Sequence, residues 1–489
     1  LLIRNVLRNL MLIGALLLPG VSLAQAISLD EAVEAAVLNS PQIRAQFNDF
    51  VSSLEGQNVQ RGALLPQVSV EGWTGRQWSG GNDAVSSTNW TRNGYGLQLK
   101  QLLFDGLATL NLTRQMGFEK LAGYYELLAA VDAVALEAAE AYIDVIRYRE
   151  MERLARENYD VHVETLDQIK QRLDSGVGRG VDYEQASGRL ALAQANLMTE
   201  SNNLNDVTQR YRRVVGSLPP PTLIDPVSLS MALPKDPKNF ESSLRSNPGV
   251  LAKQALFQAS EHGVDAAKGN DLPRLELRAS TGRDTNLPGD AYRNIQNSSV
   301  QVVMSYNLYR GGADSARIRQ TKAQSYAARD VRDHTCRNLQ QDLAVIWNRV
   351  EVLRQQMPFL VAHQTATEKV RLAYQQQFDI GERSLLDVLN TENELFDAKR
   401  TLNNATHDLR IAEYRWMAKS HQLLPALGLK QPYDQQPDEA KKLVFPDELL
   451  QICLTPAPDT QNLKPVQLQY RDGMLPPLIT SVGAGVTGQ

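Results

Sequence analysis

Two short stretches set charge beside a forced turn. In "DSGVGRGVD", residues 174–182, Asp182 follows Gly176, Gly178 and Gly180; in "DIGERSLLDVLN", residues 379–390, Arg383 and Asp387 follow Gly381. An acid just past a turn sits where a helix N-terminus favours negative charge. Arg383 lies between the turn glycine and the helix. Exposed ion pairs are worth less than about 1 kcal/mol each. The same residues also read as plain helix caps and surface charge.

Bond-making chemistry finds no support elsewhere. The six histidines are scattered and form no H-E-x-x-H. Asp333, His334 and Cys336 at i, i+1 and i+3 read as a solvated helix face rather than a metal site. "GVGRG" at 176 and "GAGVTG" at 483 resemble phosphate loops. Neither sits between a strand and a helix of a βαβ unit, so neither carries that reading. Ser, His and Asp occur without a nucleophile elbow. No enzyme, cofactor or metal is expected. The two cysteines, Cys336 and Cys453, lack C-x-x-C or zinc spacing; as spaced they read as scattered thiols.

Arg4 and Arg8, the apolar run Leu10–Val21 and the small residues Ser22–Ala26 read as a secretory signal peptide, assigned to residues 1–24. Its removal takes away two arginines and no acid, moving the formal charge from −4 to −6. Nucleic-acid binders show basic patches, so none is expected as partner. The signal implies an oxidising compartment in which a disulfide is permitted. No other segment is apolar enough for a membrane helix. A membrane role would therefore fall to β-strands, since only helices and closed barrels satisfy the backbone in lipid.

The chain is written twice. Pro41, Leu65–Pro66 and Gly75–Arg76 recur as Pro248, Leu272–Pro273 and Gly282–Arg283, a shift of 207. Past the strands the shift is 205: Arg114–Gln115 recurs as Arg319–Gln320, Gly176 as Gly381, Asp182 as Asp387. Each half predicts a helix (29–64 or 240–269), a strand opened by Pro66 or Pro273, a polar loop (79–93 or 284–297) and a second strand from Tyr95 or Val300. A very long helix follows, 107–173 or 313–378, then a tight turn and a return helix, 181–215 or 385–423. The domains expected are a first repeat over 25–216, a Pro-rich linker over 217–236, a second repeat over 237–424 and a partly disordered tail over 425–489. Sixty-odd helical residues at 1.5 Å span roughly 100 Å, far beyond a compact domain.

The strands alternate. Leu275, Leu277, Ala279 and Thr281 share one face, with Arg274, Glu276, Arg278 and Ser280 opposite. Four such strands suit a porin-like wall, with Trp73, Trp78, Trp90, Tyr95 and Tyr306 placed for interface girdles. Four strands close no membrane barrel, so several chains must contribute.

The doubled strand–strand–long-helix plan, the Asn-Ser-Pro and Asn-Pro starts and the G-x-R-x-x-x-D-V-L turn resemble the TolC family of outer-membrane export channels, over about residues 27–425. The resemblance implies a mixed α/β membrane protein. Three chains would build a twelve-stranded β-barrel, four strands each, continuous with an α-helical periplasmic barrel. It implies a homotrimer in the outer membrane of a Gram-negative bacterium, docked on a periplasmic adaptor and an inner-membrane ABC transporter or other pump. Carried over by position, Arg383 and Asp387 match a gating arginine and acid, and Asp182 the acid that pairs with them. A second gating acid falls at Asn390 and an aromatic hydroxyl at Phe378, which predicts a less acidic ring and a latch one contact poorer. Gly176, Gly178, Gly180 and Gly381 provide the turns at the tip and are candidate adaptor-docking positions. Family tails wrap the middle of the tunnel, which makes a Cys336–Cys453 disulfide from tail to tunnel an expectation. The missing lipidation cysteine and long tail favour the type I protein secretion branch, possibly exporting a large adhesin. Small-molecule efflux is the alternative, and a periplasmic coiled-coil scaffold or adaptor the alternative of another class.

Overall fold

The computed structural model describes residues 26–79, 88–234, 240–285 and 295–453. The signal segment and the 483 glycine stretch lie outside these. Each half follows one plan: α1 (Leu29–Asn39), α2 (Pro41–Gly62), β1 (Gln67–Ser79), β2 (Thr88–Phe104), α3 (Ala108–Asp174) and α4 (Gly180–Val215), then α5 (Glu241–Ser246), α6 (Pro248–Gly269), β3 (Arg274–Thr285), β4 (Ile295–Ser305), α7 (Ala313–Asp379) and α8 (Leu385–Lys419). Short helices α9 (Leu423–Ala426) and α10 (Asp447–Cys453) follow.

The single opening helix expected in each half is two helices. Ser40 and Asn247 are extended and cap the next helix through their side chains, with Pro41 and Pro248 at its first position. A proline cannot continue the preceding helix but suits the start of the next. The second return helix stops at Lys419 rather than 423. The polar loops are shorter than expected, because β2 starts at Thr88 and β4 at Ile295. Pro358 lies inside α7 without ending it. It is solvent-exposed, so the carbonyl it frees at Arg354 can turn to water.

Both long helices have 67 residues. At 1.5 Å per residue each runs about 100 Å. The main core sits partway along them, where Leu127, Ala135 and Tyr142 of α3 meet Val33 of α1, Trp416 and Met417 of α8, and Leu449 of the tail. The Tyr142 hydroxyl lies 2.7 Å from the carbonyl oxygens of both Ile27 and Ile224 and shares its proton between them, tying the start of the first repeat and the linker that follows it to α3. Its burial raises the phenol's pKa. Cys336 of α7 and Cys453 of α10 form a disulfide with Cα atoms 5.5 Å apart. Cys336 is therefore no metal ligand, and no candidate metal cluster occurs among the described residues.

Candidate functional site: a half-apolar sheet and a helical tip

The four strands form one antiparallel sheet in the order β1-β2-β3-β4. Register decides what each face shows. Val68 pairs with Leu99 and Val70 with Leu97; Leu99 pairs with Ala279; Ala279, Leu277 and Leu275 pair with Val300, Val302 and Met304. Paired residues share a face, so one apolar band crosses all four strands. Val68, Val70, Val300, Val302 and Met304 in it are exposed. The other face carries Ser69, Gln98, Lys100, Arg278, Ser280 and Gln301, and Ser280 bonds Ser299 across it at 3.0 Å. Among the described residues no helix is long and apolar enough to cross a membrane.

The girdle expectation needs correction. Trp78 and Tyr95 lie in step with the apolar band, but Trp73 and Trp90 lie on the polar face, paired with Gly94 and Gln77. Trp73 covers Gly94, where an added Cβ would lie 2.5 Å from the indole. Its indole N–H donates to Asp284 at 2.9 Å, and Arg92 grips the same carboxylate at 2.9 Å. This cluster braces β1, β2 and β3 from the polar side.

At the far end of the long helices two hairpins turn. Gly176 and Gly381 hold φ of +78° and +82°, a region other residues rarely adopt. At Gly178 a Cβ would meet the Leu173 backbone nitrogen at 2.7 Å, whereas Gly180 has nothing nearby and simply begins α4. Beyond Gly381, Ser384 caps α8. Its hydroxyl accepts from the Asp387 N–H at 3.3 Å and donates to the Asp387 carboxylate at 2.9 Å. Arg383 lies 3.8 Å from Asp387, donates to Gln377 at 2.8 Å and stacks 4.3 Å from the Tyr374 ring centroid. The structure thus brings Arg383 and Asp387 together. Asp182 stays in the first turn of α4 and makes no ion pair within the chain among the described residues.

Two of the candidate positions join the halves. Phe378 is buried with Ile169, Ala186, Leu385, Val388 and Leu389, and the Arg172 guanidinium of α3 sits 4.5 Å from its ring. Asn390 accepts from Arg189 of α4 at 2.9 Å. Sequence reasoning missed both arginines and Tyr374. Only Tyr374, one helical turn before Phe378, left a signal in the sequence, as an aromatic i, i+4 pair. Higher up, Arg400 of α8 reaches the buried Glu200 of α4 at 2.9 Å.

A sheet that shows an apolar band on one face and polar side chains on the other, set on helices of about 100 Å, fits the class of membrane proteins anchored by β-strands. The family described as outer membrane efflux protein matches residues 32–217 and 240–418, and the chain belongs to it. BepC, an outer membrane efflux protein of Brucella suis, is 28% identical over 441 residues, 88% of this chain and 94% of BepC. TolC of Escherichia coli is 25% identical over 436 residues, 85% of each chain. The alkaline protease secretion protein AprF of Pseudomonas aeruginosa is 23% identical over 423 residues, 82% of this chain and 86% of AprF. The solved CmeC outer membrane channel of Campylobacter jejuni superposes with a TM-score of 0.75 at 15% identity, over 85% of this chain and 88% of CmeC. The chain is an outer-membrane protein reaching into the periplasm, and a passive conduit rather than an enzyme. Membership also sets aside the periplasmic scaffold or adaptor.

Proposed function

We propose that three copies of this chain form the exit duct of a type I protein secretion system, with twelve strands closing a barrel above a helical tunnel. The observation that carries the trimer is unmet surface. β1 and β4 each have one unpaired edge, and open edges invite pairing with another chain. Helix α7 buries only Ser325, Arg332, Cys336, Leu339, Leu343, Val350, Thr367 and Phe378, while Tyr326, Val345 and Phe359 stand exposed on it. Neighbouring copies would cover both. A periplasmic adaptor and an inner-membrane ABC transporter would complete the path at the hairpin tips, with Gly176, Gly178, Gly180 and Gly381 shaping the docking end.

The gate is assigned to those tips. Arg383 and Asp387 form its weak pair, Asp182 remains available to a neighbouring copy, and Phe378 and Asn390 are held by Arg172 and Arg189. The Arg383–Asp387 pair is exposed, so it is weak enough to release.

Protein cargo is favoured by the likeness to AprF, whose name records protease secretion. Efflux of small molecules is the second reading, favoured by the name of BepC. Deleting the gene from its host separates them. The first reading expects one or a few large proteins to vanish from the medium while sensitivity to dyes and detergents is unchanged. The reverse pattern selects efflux.

A further inference from the structure

His162 lies on α3, twelve residues above the Asp174 turn, about 18 Å at 1.5 Å per residue. It is 1% exposed, and neither ring nitrogen completes a hydrogen bond of normal geometry. Its polar neighbour on α8 is Asn393, whose amide nitrogen donates one N–H to the Leu389 carbonyl at 3.0 Å. The charged neighbour on α4 is Arg189, the same arginine that holds Asn390. One turn up α3, Asn158 lines a cavity of about 340 Å³ with Glu392 of α8 and Arg371 of α7. Those two are already paired at 3.2 Å, so Glu392 is not free to neutralise a new charge.

The imidazole therefore sits between the first hairpin and the second, bounded by two apolar contacts. Ile169 and Ala186 meet Phe378 and Leu389 below it, and Leu154 and Ala155 meet Phe396 above it. A neutral ring fits this place. A charged one would lack a carboxylate partner and face Arg189.

We propose that His162 is an acid-sensing wedge that loosens the packing of the two hairpins, and so opens the tunnel entrance, when the periplasm acidifies. The proposal rests on the duct reading and adds its regulation. The direction follows from linkage. Burial first, and Arg189 next, push the buried imidazole below its ordinary range, while Asn393 acts the other way. The tightly packed arrangement then binds fewer protons than a loosened one, so its advantage is complete above about pH 6.5 and declines as pH falls below that.

The test is single-channel conductance of the assembled wild-type protein in planar bilayers between pH 7.5 and 5, beside His162→Gln, His162→Arg and Asp387→Ala. The proposal expects wild-type conductance to rise severalfold on acidification and His162→Gln to stay low throughout. His162→Arg, with its permanent charge, should be raised even at pH 7.5. Circular dichroism of each variant checks that it is folded. If His162→Gln is misfolded, the same pH series on His162→Phe replaces it. Identical pH profiles for wild type and the folded neutral variant overturn the proposal. So does the absence of any acid response. Asp387→Ala keeps the two readings apart: raised conductance in it at every pH leaves the tip gate standing when the His162 result is negative.

Discussion

Lys120→Met should release the tail from the tunnel wall. Lys120 of α3 reaches Glu439 of the 3₁₀ turn Asp438–Lys442 at 2.7 Å and Gln57 of α2 at 2.7 Å, and Gln57 donates to Glu439 at 2.9 Å. The two charged side chains are only 11% and 13% exposed. Removing one partner of a buried ion pair costs about 3–5 kcal/mol, mostly because the other charge is left alone. At about 3 kcal/mol, local opening of the turn rises by roughly two orders of magnitude. The amides of Ala440 and Leu443, which close the turn onto Pro437 and Ala440, should then exchange with deuterium roughly 100-fold faster while the long helices keep their protection. Glu439→Gln should do less, since Gln57 can still bond the amide and Lys120 retains Gln57. The clasp also has a pH signature. Burial pushes the Glu439 carboxyl up, but its bonds from Lys120 and Gln57 outweigh this and hold it below its ordinary value. A depressed carboxylate stabilises the docked tail fully above about pH 4.5 and loses that contribution as pH falls further. Unchanged exchange in Lys120→Met, at pH 7, would refute the reasoning.

Val300→Lys, on the apolar face of β4, should impair insertion by about 2–4 kcal/mol if it sits near mid-bilayer, lowering the heat-modifiable folded fraction on gels. Ser299→Lys, one residue away on the polar face, should fold normally. Gly94→Val forces the Trp73 indole off its floor at an overpacking cost of about 1–3 kcal/mol, read as a tryptophan fluorescence shift and a lower unfolding temperature. The Cys336–Cys453 bond closes a loop of 117 residues, worth about 4–5 kcal/mol on chain-entropy grounds. Reductant should therefore lower the thermal stability of the wild type and leave Cys453→Ser unmoved.

The long helices were readable from sequence, because sixty residues nearly free of proline and glycine leave the chain few alternatives. The doubling was readable from fixed shifts. Helix breaks at Ser40 and Asn247 have a local signal, the prolines that follow them and open the next helix. The start of β2 was hidden: "TNWTRN" shows no alternation of its own, and its strand state comes from pairing with Thr74–Ser79. The facing of Trp73 was legible by parity, since 73 is out of step with Val68 and Val70. At the tip, the turn glycines and the Arg383–Asp387 spacing were local and visible. Arg172 over Phe378 and Arg189 on Asn390 join residues about two hundred positions apart, so only the packing of one hairpin on the other reveals them. The path of the tail was equally closed to inspection. Glu439 is one carboxylate in a polar run, and its burial depends on Gln57 and Lys120 arriving from two other helices.

The central claim is that this chain forms a conduit whose constriction lies at the hairpin tips. Planar-bilayer conductance at neutral pH, for wild type beside Asp387→Ala and Arg383→Ala, tests it most directly. The account predicts small wild-type currents that grow in both variants. Folded, inserted protein that passes no current in any of the three would contradict the conduit, and equal currents in all three would contradict the place given to its gate.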